Sequence, residues 1–122
     1  MARVEIPVTT IVRAGVAVPA SVVANAALKH AVGGNDGTVW IEVVSTDAAP
    51  QTVVVQPSPS VEADGLAVSP LTLAIGAGAS MKFGPFKPST FNQDAVDREI
   101  WLDPSVSTTL TFRAYKIAAA RV

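Results

Sequence analysis

The stretch TVWIEVVST, Thr38 to Thr46, decides how the chain is read. Val39, Ile41 and Val43 fall on one side of a two-residue period, and Trp40, Glu42 and Val44 fall on the other. That alternation belongs to an extended strand with one face against a core. The turn signal Asn35-Asp36-Gly37 precedes it, and Asp47-Ala48-Ala49-Pro50 breaks it. QTVVVQ, Gln51 to Gln56, then gives a second strand, and the short spacer predicts that the two pair as an antiparallel hairpin.

The same period recurs downstream. Asp64-Gly65 marks a turn, and Leu71, Leu73 and Ile75 form an inward row with Thr72 and Ala74 outward. Gly76 and Gly78 close a tight turn, read as a hairpin into Ser80 to Phe83. REIWLD and STTLTFRAYKI complete the set. In the latter, Leu110, Phe112, Ala114 and Lys116 oppose Thr111, Arg113, Tyr115 and Ile117. Upstream, PASVVANAALKHAV (19–32) has no apolar stripe, and Ser21 could cap one or two helical turns or begin an ordered loop. In RVEIPVTTIVRAGVAV (3–18), Val4, Ile6 and Val8 alternate with Arg3, Glu5 and Pro7. Pro7 donates no ladder bond, so this segment is an edge strand or an extended arm reaching a neighbour.

The expected fold is all-β: a β-sandwich or small barrel of seven to eight short antiparallel strands with an extended N-terminal arm. Residues 1–18 form the arm or edge strand, and 19–122 form one β-sandwich domain. A chain of 122 residues suffices for one core. Cysteine is absent, which removes disulfides and thiolate metal sites. A net charge of −1 with 16% charged residues gives no electrostatic footprint for nucleic acid or an anionic membrane. Hydrophobic content of 49% points to a surface buried by association, with alanine tolerated on an ordinary surface as the alternative. The first residues carry Glu5 and Pro7 where a signal peptide needs an apolar run, so synthesis in a cytoplasm without standard export is expected.

No constellation for catalysis or metal binding emerges, and no cofactor is expected. His30 is the only histidine, and no GxSxG elbow accompanies it. It reads as a surface or satisfied histidine. IGAGAS lacks the Lys-Ser/Thr of a phosphate loop and reads as a β-turn. Asp94, Asp97, Glu99 and Asp103 lack the glycine-centred spacing of a calcium loop, with Arg98 inside the group, and read as a solvated loop. Trp40, Trp101 and Tyr115 are the aromatics available to stack a sugar, each with core or interface as the alternative.

GPFKPSTF, Gly84 to Phe91, concentrates two prolines and two phenylalanines. Gly84 permits close approach, Pro85 fixes direction, and Phe86 and Phe91 can drop into the core from a crossover between sheets. Each ring contributes about 1.5–3 kcal/mol by burial. The segment is therefore expected to be a structural corner, with a partner-binding loop as the alternative.

Several segments in order resemble the small head-decoration (auxiliary capsid) proteins of tailed bacteriophages. They are IPVTTIVR (Ile6 to Arg13), WIEVVST (Trp40 to Thr46), TVVVQ, the Leu73 to Gly78 segment, and Gly84-Pro85-Phe86 followed by Phe91, Gln93 and Asp94. The chain departs from that pattern after Asp94, where Ala95-Val96-Asp97 lengthens the turn. The resemblance implies a non-enzymatic virion protein that binds the outside of a capsid, with the major capsid protein as partner. It also implies self-association into a homo-oligomer such as a trimer. A carbohydrate- or host-surface-binding module, or another head or tail component, is the alternative. Partner contacts are expected from the arm through Arg3, Val4, Ile6, Val8, Ile11 and Arg13, and from loop tips at Asn35, Asp36, Asp94 and Asp97.

Overall fold

A computed structural model describes residues 3–58, 62–63, 66–67, 70–93 and 98–117. It is a β-sandwich of two five-stranded sheets, with a separate two-stranded ribbon. The first sheet runs β1 (Val4–Glu5), β4 (His30–Val32), β11 (Ile100–Pro104), β6 (Gln51–Val55), β9 (Leu71–Ile75). The second runs β10 (Ser80–Phe83), β5 (Val39–Ser45), β12 (Leu110–Ile117), β2 (Val8–Ile11), with β3 (Val22–Val23) also on β12. β7 (Glu62–Ala63) and β8 (Leu66–Ala67) pair with each other. The one helical turn among the described residues, α1 (Pro88–Phe91), has proline at its start, where a missing N–H costs nothing. No described helix is long and apolar enough to cross a membrane.

The alternation seen in the sequence becomes the core. Val39, Ile41 and Val43 of β5, Leu110, Phe112 and Ala114 of β12, Val53 and Val55 of β6, and Ile100 and Leu102 of β11 meet between the sheets. Leu73 and Ile75 of β9 join them, whereas Leu71, expected inward, is 40% exposed at the sheet edge.

Three expectations need correction. The sheets are mixed rather than antiparallel, because β1 pairs parallel to β4 and β2 parallel to β12. β5 and β6 are not a hairpin: β5 lies between β10 and β12, and β6 lies between β11 and β9, in the opposite sheet. The Asp47–Pro50 spacer has no Asn-Gly or Gly to favour a tight primed turn, so the chain arches across the sandwich instead. β9 and β10 likewise lie in different sheets, joined by a turn in which Ala79 N–H donates to Gly76 O at 3.0 Å.

The segment with a candidate helix is β3, a turn and β4. Asn25 makes the turn: its Oδ1 accepts from the N–H groups of Ala27 (3.1 Å) and Leu28 (2.9 Å), and its carbonyl accepts from Lys29 N–H at 2.8 Å. The Asp64-Gly65 turn lies outside the described residues.

The chain crosses repeatedly between the two sheets, and two flanks result. On one, β1 and β2 are the adjacent edges, linked through Ile6 and Pro7, with Ile6 sealed beneath at 1% exposure. On the other, β9 and β10 are the adjacent edges.

Candidate functional site

The N-terminal segment is an edge of the sandwich over β1 and β2. Arg3 is consumed internally. Its Nη1 donates to Asp103 Oδ1 at 2.7 Å and to His30 O at 3.1 Å, and its guanidinium lies 4.2 Å from the Trp101 ring centre. Val4 is held in the β1–β4 ladder, and Val8 packs against the core. Ile6, expected to face a partner, faces the core instead, because Ile6 N–H bonds Ala31 O at 2.9 Å and draws the crossover inward. Ile11 is half-buried, paired with Ile117 at the end of β12.

Arg13 is exposed and begins a different surface. Gly15, at φ +98, closes a turn in which its N–H donates to Val12 O at 2.9 Å. From there the chain runs extended to β3, anchored where Arg113 Nε donates to Pro19 O at 2.9 Å. Every residue from Val12 to Val18 is exposed, as is Ala20, and Arg13 is the single charge in VRAGVAVPA. Val18 is 74% exposed. Val23 on β3 and Ile117 on β12 extend the apolar surface on the same flank. Large exposed apolar side chains are unremarkable singly; here they are concentrated in one segment.

The Asn35-Asp36 tip divides. Asp36 is exposed, and its carboxylate accepts from the Thr38 hydroxyl and N–H, which hold its pKa below the usual value. Asn35 is 0% exposed and is no contact residue. Its Nδ2 donates to Phe86 O at 3.1 Å and to Asn92 Oδ1 at 2.7 Å, while Asn92 Nδ2 donates to Asn35 O at 3.1 Å. The turn is thereby locked to the Gly84–Phe91 segment. Asp94 and Asp97 lie outside the described residues.

Gly84 to Phe91 connects β10 in one sheet to the approach to β11 in the other. Gly84, at φ +122, lies against the backbone of Val39 and Trp40, and its peptide bond to Pro85 is cis. Phe86 is buried, and Phe91 is half-buried, meeting it edge-on with ring centres 5.6 Å apart. Buried Gln93 ties this corner to the exit of β6, donating to Gln56 O at 3.1 Å and Pro57 O at 3.2 Å.

Beside the corner lies a shallow cleft of about 300 Å³ lined by Trp40, Lys82, Phe83, Gly84 and Pro85. Trp40 stacks on Tyr115 with ring centres 4.7 Å apart. Glu42 sits between Arg113 (3.2 Å) and Lys82 (3.5 Å) on the same sheet face. The cleft escaped sequence reasoning because it forms only where the corner passes β5. An aromatic beside a glycine-proline pair was the single signal available.

His30 is buried under β1 with its ring 4.9 Å from that of Phe112. Nε2 accepts from Asn25 N–H at 2.9 Å, and Nδ1 donates to Val4 O at 3.2 Å. Burial holds its pKa below the ordinary histidine value. Both ring nitrogens serve the fold. Among the described residues, no three His, Cys, Asp or Glu side chains converge as a metal site. The described surface carries an apolar strip on one flank and an aromatic cleft on one sheet face. Comparison with protein-family models, with curated proteins and with solved structures returned no match for the chain.

Proposed function

We propose that the chain is a structural virion protein that seats on the outside of a phage capsid, with the major capsid protein as its partner and self-association as its second mode. The observation that carries the contact role is the exposed segment Val12 to Ala20, apolar but for Arg13. A segment of that composition left in water favours burial against another surface, at about 25 cal/mol per Å² of apolar area removed. The resemblance of Ile6–Arg13, Trp40–Thr46 and Gly84–Asp94 to head-decoration proteins supplies the capsid as the particle. Many equivalent sites on a shell convert a modest single contact into high occupancy.

The test is co-sedimentation with empty shells, comparing the native chain with Val18→Asp. Val18 is exposed, so the substitution leaves the fold intact while placing a charge in the contact. The native chain is expected to pellet with shells and the variant to remain in the supernatant. Equal pelleting of both would remove the Val12–Ala20 surface from the reading. Failure of the native chain to bind cognate shells would remove the reading itself.

The cleft at Trp40 favours a second reading, a carbohydrate- or host-surface-binding module. Aromatic faces beside a few polar groups suit sugar rings. A glycan-array signal lost on Trp40→Ala would raise this reading above the first.

A further inference from the structure

The backbone of β9 turns a row of unsatisfied groups to the outside. The direction follows from its neighbours. Gln56 N–H donates to Trp101 O at 3.1 Å, and Ser105 N–H donates to Thr52 O at 2.9 Å, so the even positions of β6 bond towards β11. In an antiparallel ladder a residue's N–H and C=O point to the same side and alternate along the strand. Gln51, Val53 and Val55 therefore bond towards β9, where they face Ile75, Leu73 and Leu71. Thr72 and Ala74 then present N–H and C=O away from the sheet, and among the described residues no strand pairs with that edge. Both residues are exposed.

Edge strands in soluble proteins are guarded by charge, proline, bulges or brevity. β10, the other edge on this flank, follows the rule. Its outward-bonding positions are Ser80 and Lys82, and Lys82 carries a charge. β9 does not follow it. LTLAI has no charge, proline or glycine, and its ladder with β6 is continuous over five pairs. Leu71, on the core side of the pleat, remains 40% exposed because nothing in the described chain extends the sheet past it.

We infer that β9 is a self-pairing edge, and that its occupant is β9 of a second copy of this chain. The strand is self-complementary. With a two-fold axis at Leu73, antiparallel pairing sets Thr72 opposite Ala74 of the copy, so each outward N–H meets an outward C=O. Leu71 then lies opposite Ile75 of the copy on the core side, extending the apolar row across the axis. No charge opposes a charge anywhere along the pair, so a second copy fits without repulsion. The pairing joins two sandwiches into one continuous sheet and leaves the Val12–Ala20 flank, on the far side, free for the capsid. It yields a dimer rather than the trimer that the resemblance suggested. This deepens the self-association part of the proposed function and stands or falls apart from capsid binding.

The test is sedimentation equilibrium of the full chain, with amide hydrogen exchange followed over a dilution series. A dimer is expected, with Thr72 and Ala74 amides protected when concentrated and exchanging freely when diluted. Thr72→Pro removes an outward N–H at an edge, where proline is tolerated, and is expected to give a folded monomer by circular dichroism. Should that variant not fold, Ala74→Lys places a charge on the same edge and is expected to do the same. A monomer or trimer at all concentrations overturns the inference. So does a dimer whose Thr72 and Ala74 amides exchange at the same rate on dilution, or one that survives in a folded edge variant. Co-sedimentation with shells by the monomeric variant separates failure here from failure of the capsid reading.

Discussion

Replacing Gly84 by alanine tests the corner by one methyl group. A Cβ there would lie 3.0 Å from Val39 O, 3.0 Å from Trp40 Cα and 3.1 Å from Trp40 Cβ. The first two are backbone atoms at the start of β5, held in its ladder with Tyr115 and Lys116 of β12, so they yield little. Overpacking of this kind costs about 1–3 kcal/mol. The φ of +122 adds a backbone term for any L-residue, of order 1–3 kcal/mol. The sum is roughly 2–6 kcal/mol, a large share of the stability of a small domain. At about 4 °C per kcal/mol, a loss near 3 kcal/mol lowers Tm by roughly 12 °C. Gly78→Ala provides the comparison: Gly78 has φ +65, yet nothing lies within 4 Å of its would-be Cβ. That variant carries strain without crowding, about 1–2 kcal/mol. Urea unfolding followed by tryptophan fluorescence measures both. A Gly84→Ala protein no less stable than Gly78→Ala would refute the packing of the corner against β5.

Asn35→Ala strips a donor from Phe86 O and Asn92 Oδ1 and is expected to cost about 1–3 kcal/mol in urea unfolding. In a double-mutant cycle with Asn92→Ala, the reciprocal bonds predict coupling above about 0.5 kcal/mol; additive losses would deny the clamp. His30 makes stability pH-dependent. Its pKa is lowered in the fold from 6.5, so below that pH the unfolded chain binds the proton that the native state resists, and stability falls as pH falls. His30→Gln is expected to flatten this part of a pH–stability profile, and parallel profiles for the two proteins would contradict it. Shell binding through Val12–Ala20 is expected to hold as sodium chloride is raised and to strengthen in sulfate; steep loss with sodium chloride would assign it to charges instead.

The strands that carry the core were legible because burial on one face writes itself as a period of two. β5 alternates without a break, and β12 does so from Leu110 to Ala114, after which Tyr115 on the opposite face is buried as well, stacked on Trp40. Sheet assignment was not legible. β5 and β6 look alike locally, and whether five residues arch or turn back depends on contacts far along the chain. The parallel pairing of β1 and β2 has no local signature either. At the candidate site, Arg13 and Asp36 are exposed, while Ile6 and Asn35 turned inward. For Ile6, the same alternation that suggested a contact face serves equally for a core face. Asn35 carries the residue type of a solvent-facing turn, and only the approach of Phe86 and Asn92 makes its amide a buried clamp. The Val12–Ala20 strip was visible as composition, but its exposure depends on the edge position of β2.

The distribution of charge on the finished molecule bears on how it meets anything else. The outer face of the first sheet holds Arg3, Lys29, Gln56 and Trp101 around Asp103, with Arg3 and Gln56 each 2.7 Å from its carboxylate. The outer face of the second holds Glu42 between Arg113 and Lys82. On each face two cations flank one carboxylate, and the one charge left over is exposed and screened at physiological salt. The two flanks differ from the faces and from each other. One displays valine side chains over an anchored loop, and the other displays bare backbone along β9. Side chains of that kind reward burial against any complementary apolar surface, whereas unpaired N–H and C=O groups accept only another strand at matching register. A particle surface and a second copy therefore need not compete for the same ground. Burying the valine flank takes an already anchored loop out of water, and pairing β9 extends a ladder already formed with β6. Neither asks the sandwich to rearrange, so the ordering cost of each association is confined to surface side chains.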